Sequence, residues 1–253
     1  QVTDPYSEML WSNNWWVKPL FITDGKIYVA HTEHSAVDPR PRGAPFVCLD
    51  AMTGEEIWRI DGAFRTTRWG GRAIIGDSII VGMDTYDQQI YAVGKGPSAL
   101  TAQAPMSGVT VGSSVQITGT IMDVSPGTQD YSLMARFPNG VPAIADEDMS
   151  AWMLHVYKQF EQPADAEGVT VILAAIDPNG NYMDIDRTTS DLFGNWALSF
   201  KPEMEGTYQI LATFEGSDAY YGSTTTTYVT VDPAPAPATP MEPEEPEEPE
   251  VPT

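Results

Sequence analysis

The chain has one cysteine, little positive charge and no long apolar run. Cys48 stands alone, so no intramolecular disulfide can form. It alternates with Val47 and Leu49 in an apolar stretch, where a small buried thiol is expected. Lys and Arg number 13 against 35 Asp and Glu, a formal charge of -22 over 253 residues. That balance excludes nucleic acid as a partner and direct adhesion to an anionic membrane surface, because both repel it. No apolar run approaches the ~20 residues of a membrane helix. The longest, Ile74–Ile75 with Ile79–Val81 and Val171–Ile176, are strand-sized. The first residues, Gln1–Val2–Thr3–Asp4–Pro5, are not a charged-then-apolar leader. The chain reads as the C-terminal part of a longer product. No G-x-S-x-G elbow is present, and of the 3 His residues, His155 has no evident catalytic partner.

What the chain does have is punctuation for strands. Leu49–Asp50–Ala51–Met52–Thr53–Gly54–Glu55–Glu56–Ile57–Trp58 reads as a hairpin turning at Thr53–Gly54. Gly supplies the positive φ of a tight turn, and Ala51 leaves room for the Trp58 indole. Two segments repeat. Ile22–Ala30 aligns with Ile74–Gly82, each strand–turn–strand, and Val47–Asp50 aligns with Tyr91–Gly94. The first copy continues to a fourth strand at Trp58; the second stops at Lys95–Gly96–Pro97.

After a linker at 98–108, longer alternating strands are expected at Ser114–Val124, Val169–Asp177, Asn195–Phe200, Thr207–Phe214 and Thr224–Val231. Strands at this spacing, separated by turn clusters, argue for a β-sandwich over 109–231. Gly206–Thr207–Tyr208 resembles the tyrosine corner of immunoglobulin-like domains, in which a Tyr hydroxyl bonds a nearby backbone group. One helix is expected near 146–160. Asp146–Glu147–Asp148 puts negative charge at its start, and Met149, Trp152, Met153, Val156 and Phe160 share one face. From 232 to 253 the composition is Pro and Glu, with Pro240, Pro243, Pro246, Pro249 and Pro252 every third residue. In polyproline II this is a stalk on the order of 65 Å long. An anchor is expected downstream of it, and it would be the chain's only link to a membrane.

The pattern Ala51-x-Thr53-Gly54-x-x-x-Trp58 resembles the blade signature of pyrroloquinoline-quinone-type β-propeller repeats. Further residues carry a wider resemblance: Asp24–Tyr28, Glu33–Ser35, Gln89–Ser98, Asp146–Trp152, Ile176–Gly180, and Ala212–Ser217 with Tyr220. Together they resemble a group of archaeal cell-surface proteins with a quinoprotein-like propeller followed by an immunoglobulin-like domain and an anchor. The resemblance implies an all-β chain. Residues 1–97 would form a partial β-propeller, with one complete blade plus about three strands of another. A helix-bearing immunoglobulin-like sandwich and the stalk would follow. It also implies an extracellular, surface-anchored location.

Candidate chemistry is sparse. The insertion around His31, Glu33, His34, Arg40 and Arg42 could contact a ligand, with a plain inter-strand loop as the competing reading. Neighbouring residues of an extended strand point to opposite faces, which disfavours a metal there. Asp177, Asn179, Asp184 and Asp186 are the candidate Ca²⁺ ligands, against a hairpin turn with solvated acids. Trp15 and Trp16, with Trp11 and Trp69, could stack on sugar rings or fill a core. No catalytic residue and no cofactor are expected. The expected function is a non-enzymatic cell-surface scaffold or adhesion protein, binding a surface protein, a glycan or another copy of itself. The alternative is the C-terminal part of a quinone-dependent propeller dehydrogenase, or another propeller enzyme, whose catalytic blades lie upstream.

Overall fold

Two hairpins organise the N-terminal half. Strands β1 (Val17–Thr23) and β2 (Lys26–Glu33) turn through Asp24–Gly25, with φ of 50° and 67°. Strands β6 (Ile74–Gly76) and β7 (Ile79–Asp84) turn through Asp77–Ser78, with φ of 49° and 62°. Positive φ at both central residues marks a type I′ turn, whose twist matches that of the flanking strands. The structure, a computed structural model, describes residues 17–33, 45–60, 66–67, 73–84 and 87–234. Trp11, Trp15, Trp16, His34, Arg40, Arg42, Trp69 and residues 235–253 of the expected Pro/Glu stalk lie outside the described residues, while Asp232, the expected start of that stalk, ends a β-strand.

Around the first hairpin, β3 (Phe46–Asp50) and β4 (Glu56–Ile60) complete a sheet in the order β1-β2-β3-β4, with β5 (Thr66–Thr67) parallel to β2. Around the second, β8 (Gln89–Val93) completes a sheet in the order β6-β7-β8. The β3–β4 connection owes its shape to Asp50. Its Oδ1 accepts the Met52 and Thr53 N–H groups at 2.8 and 2.7 Å, and Gly54 follows at φ 76°. The Thr53 and Met52 bonds hold the Asp50 carboxyl below the usual carboxylate range. Trp58 pairs with Cys48 across the ladder and stacks on Phe46, with centroids 5.6 Å apart and planes at 12°. Tyr28 closes on the same indole at 6.0 Å. The Ala51 N–H donates to the Gly25 carbonyl, tying this turn to the first hairpin.

The ladder corrects the alignment of the two repeats. By sequence, Ile27 lies opposite Ile79. Superposing the turns matches Thr23↔Lys26 with Gly76↔Ile79, so Ile27 corresponds to Ile80 and Tyr28 to Val81. The third strands agree, since Tyr28 pairs with Cys48 and Val81 with Ala92. An offset of one residue exchanges the faces of a sheet. The first sheet turns Tyr28, Ala30, Phe46 and Cys48 inward, while the second turns in Ile75, Ile80, Tyr91 and Val93. Those inward positions of the second sheet correspond to the opposite face of the first. The repeats therefore share one core through opposite faces.

The C-terminal half is two facing sheets. In one, β11 (Val115–Asp123) lies between β12 (Val141–Pro142) and β15 (Asn195–Phe200), and β9 (Ser98–Leu100) also pairs with β11. The other comprises β10 (Val109–Thr110), β13 (Thr170–Ile176), β14 (Tyr182–Thr189), β16 (Gly206–Gly216) and β17 (Tyr221–Asp232). Its order is β10-β17-β16-β13-β14, with β10 and β17 parallel. Ile117, Val171, Leu173, Ile210 and Ala212 fill the space between the sheets and are fully buried. Strand β14 escaped the sequence reading, because Asp184, Asp186 and Arg187 break its apolar pattern. Residues 98–108 are not a free linker throughout. Ser98–Leu100 forms β9, and the Gln103 and Thr118 backbones bond each other, so pairing with β11 starts at Ser98.

The expected helix is α2 (Met149–Lys158), entered by a 3₁₀ turn at Asp146–Asp148 and closed by Gln159 at φ 58°. A shorter helix, α1 (Tyr131–Arg136), precedes it, with the Asp130 side chain accepting the Ser132 N–H at 2.9 Å. Trp152, Val156, Leu133 and Ile144 form a satellite core between these helices and the sandwich. Leu154 is buried as well, on another flank of α2. The helix is therefore covered on more than its expected stripe. Among the described residues, no helix is long and apolar enough to cross a membrane. The coarse architecture is all-β, with helices inserted between strands β11 and β13.

Candidate functional site

The outward face of β6–β8 is the most unusual surface among the described residues. Alternation puts Ile79, Val81 and Met83 of β7 on that side; Ile74 and Ala92 pair with Val81, and Ile90 pairs with Met83. Ile74, Ile79 and Ile90 are 65%, 43% and 73% exposed. Among the described residues of β6–β8, no charged side chain interrupts the face. In the first sheet the corresponding positions include Tyr28 and Cys48, which are buried under the second sheet. The same face of the same repeat is thus core in one copy and partly exposed in the other.

A second constellation sits where α2 meets the repeats. The Lys158 ammonium pairs with Asp84 at the end of β7 and lies 3.6 Å from Asp87. It also stands 4.4 Å from the centroid of the Tyr91 ring. Asp84 is 1% exposed. The Tyr91 hydroxyl donates to Asp87 at 2.5 Å, and burial together with that bond raises its pKa. Nearer the start of α2, the Ser150 hydroxyl donates to the Arg59 carbonyl on β4. Asp146 accepts from the Ser217 hydroxyl at 2.8 Å and from the Asp218 and Ala219 N–H groups at 2.7 and 3.0 Å. Gly96 exchanges backbone bonds with Ala219 and Tyr221. Three segments singled out by resemblance, around Gly96, Asp146 and Ser217–Tyr220, therefore meet in one junction.

Below the junction lies a buried acid. Asp123 is 4% exposed and accepts the Ser125 N–H at 2.8 Å, with the Tyr220 hydroxyl at 3.4 Å. Burial pushes its pKa above the usual carboxylate value. The Tyr157 phenol is pushed up to about 12 by burial and then by the Asp123 charge. His155 is held by its Nδ1 contact with the Phe160 carbonyl at 2.9 Å and by edge packing on Phe137. None of these groups forms a nucleophile–base pair.

The candidate Ca²⁺ residues divide. Asp177 Oδ1 accepts the Asn179 and Asn181 N–H groups at 2.9 and 2.8 Å, and Oδ2 accepts the Asn181 amide at 2.9 Å. These bonds, led by Asn181, lower its pKa. Asp191 repeats the arrangement with the Phe193 and Asn195 N–H groups and the Asn195 amide. Gly180 and Gly194 occupy the same place in each turn, at φ 85° and 76°. Asp-x-x-Gly-Asn is thus a turn motif used twice, in which the carboxylate serves its own backbone. Asp184 and Asp186 lie on β14 with exposed side chains. Among the described residues no group of three or more His, Cys, Asp and Glu side chains converges. An open groove of about 550 Å³ runs past Thr101, Thr118, Thr120, Thr189 and Asn195; its one carboxylate is Asp191, already engaged.

Of the remaining sequence candidates, His31 and Glu33 fall on the β2 backbone. Cys48 is fully buried, and burial pushes its thiol pKa up. Tyr208 is 2% exposed, and its hydroxyl accepts the Met204 N–H at 3.1 Å.

No protein-family model matches the chain, and no curated protein matches it. Among solved structures, a β-glucosidase from Listeria innocua in complex with glucose is 10% identical, with a TM-score of 0.26. That match covers 56% of this chain and 17% of the glucosidase. A β-glycosidase from Bacteroides vulgatus is 11% identical with a TM-score of 0.28, over 80% of this chain and 24% of its own. The chain spans less than a quarter of either. Likeness this slight carries no argument about activity.

Proposed function

We propose that this chain is a non-enzymatic cell-surface scaffold or adhesion protein. Its repeats form part of a quinoprotein-type β-propeller and supply an interaction surface; an immunoglobulin-like sandwich and a Pro/Glu stalk space that surface from an anchor. The observation that carries the reading is the uncharged, apolar outer face of β6–β8 on a chain of charge -22. Exposed apolar faces of this kind mark interaction sites. Two further observations support the architecture. Blades related by rotation about an axis must meet through opposite faces, as the two repeats do. In the sandwich, parallel pairing of β10 with β17 and the Tyr208–Met204 bond suit an immunoglobulin-like domain with its tyrosine corner.

The location is tested by labelling intact source cells with a membrane-impermeant amine reagent. Modification of the protein on unbroken cells is the expected result; labelling only after lysis refutes a surface role. Turnover of a redox dye by protein supplied with quinone and Ca²⁺ would refute the non-enzymatic assignment.

A further inference from the structure

The larger sheet of the sandwich has two edges that differ in kind. At one, β14 carries Asp184, Asp186 and Arg187, and its register with β13 shifts between Leu173 and Ala174. Charges and bulges of this sort keep an edge strand from pairing with another chain. At the other edge, β10 reaches β17 only at Val231 and Asp232. From Ser223 to Val229, β17 pairs with β16 on one side, and no strand among the described residues pairs with it on the other. That stretch, Ser223–Thr224–Thr225–Thr226–Thr227–Tyr228–Val229, has no charge, no proline and an unbroken register with β16. Its Thr, Tyr and Val residues all favour strands. Thr224 and Thr226 are exposed, and Tyr228 is 61% exposed. We propose that the edge of β17 from Ser223 to Val229 pairs antiparallel with the same edge of a second copy of this chain, joining the two larger sheets into one.

The backbone supplies the attraction, because the unpaired N–H and C=O groups of an edge strand are a template for another strand. Composition selects the occupant. About a twofold axis at Thr226, Ser223 lies opposite Val229, Thr224 opposite Tyr228 and Thr225 opposite Thr227. No like charges meet there, although each copy carries -22. The β14 edge would instead bring Asp184, Asp186 and a bulge. The Pro/Glu run that follows β17 is unsuited, since proline has no N–H to donate. Between the two edges of this sheet, β17 is therefore its own best complement. An edge paired with its own equivalent closes at two copies instead of growing a filament.

Sedimentation velocity of the full chain over a concentration series should show the mass rising from 27.6 kDa toward twice that value. High salt should favour the rise, because it screens the repulsion between copies. Over the same series, hydrogen exchange should slow at the amides of Ser223–Val229. Thr226→Lys and Tyr228→Lys should each weaken the association at least tenfold. Each lowers the net negative charge, so a purely electrostatic effect would run the other way. Thr207→Lys, on the same outer face but on β16, should leave it unchanged. Thr226→Cys should form a disulfide-linked dimer under oxidation, because directly opposed residues of an antiparallel pair lie within disulfide reach and Cys48 is buried. A chain that stays monomeric at high salt and hundreds of micromolar overturns the proposal. So does a dimer that tolerates both lysines, or one whose added protection lies on other strands. The inference goes beyond the scaffold reading and fails separately. Labelling only after lysis would refute the surface role and leave the β17 pairing standing; a monomer labelled on intact cells would do the reverse.

Discussion

Replacing Lys158 with Met tests how α2 is fastened to the repeats. The side chains of Lys158 and Asp84 are 9% and 1% exposed, so their pair is a buried one. Removing one member of such a pair takes from the other the charge that offsets its burial, at a cost of about 3–5 kcal/mol. The Tyr91 ring, 4.4 Å from the ammonium, adds about 1 kcal/mol of cation–π attraction. Met keeps much of the aliphatic stem, so packing loss is small. Part of the cost is relieved if Asp84 rotates toward water, and a net loss of about 3 kcal/mol is expected in urea unfolding. The double variant Lys158→Met/Asp84→Asn should recover part of that loss, because both charges of the Lys158–Asp84 pair are then absent. Lys158→Met within about 1 kcal/mol of the parent would refute the argument. So would a double variant no more stable than the single one, since the cost would then arise from something other than a stranded charge.

Two other variants probe the sandwich. Asp123 has a folded pKa above its reference value of 3.8, so the native state holds that proton more tightly than the unfolded chain does. Its stabilising contribution is present below pH 3.8 and is lost as pH rises through the raised folded value. Asp123→Asn should therefore raise the urea midpoint at pH 7 and flatten the stability profile from pH 3.8 upward; a lower midpoint at pH 7 would show that the ionised carboxylate is needed. Tyr208→Phe removes the acceptor for the Met204 N–H and should cost about 1 kcal/mol, read by the same titration. An unchanged midpoint would mean that water replaces the hydroxyl.

Local chemistry was legible wherever one residue dictates its neighbours. Asp50 through Gly54 announced a turn, and the turn is held by the Asp50 side chain itself. The apolar spacing from Met149 to Phe160 announced a helix, and α2 occupies most of that span. Asp177 shows the limit. Its sequence context suits both a Ca²⁺ loop and a self-capped turn, and the recurrence of the same bonds at Asp191 belongs to the turn.

By itself the sequence determined an acidic, all-β chain with one thiol, two repeats and a following run of longer strands. These follow from composition and from signals that act within a few residues. Tertiary structure alone decided which way each repeat faces. Residues such as Ile79 and Ile80 are equally apolar, so the alternation that fixes strand parity is missing, and the sequence alignment slipped by one. Only the turns at Asp24–Gly25 and Asp77–Ser78, together with the cross-strand pairs, restore the parity. Tertiary structure also brought Gly96, Asp146 and Ser217 together and set Lys158 against Asp84, because partners 74 residues apart meet only after both halves have packed.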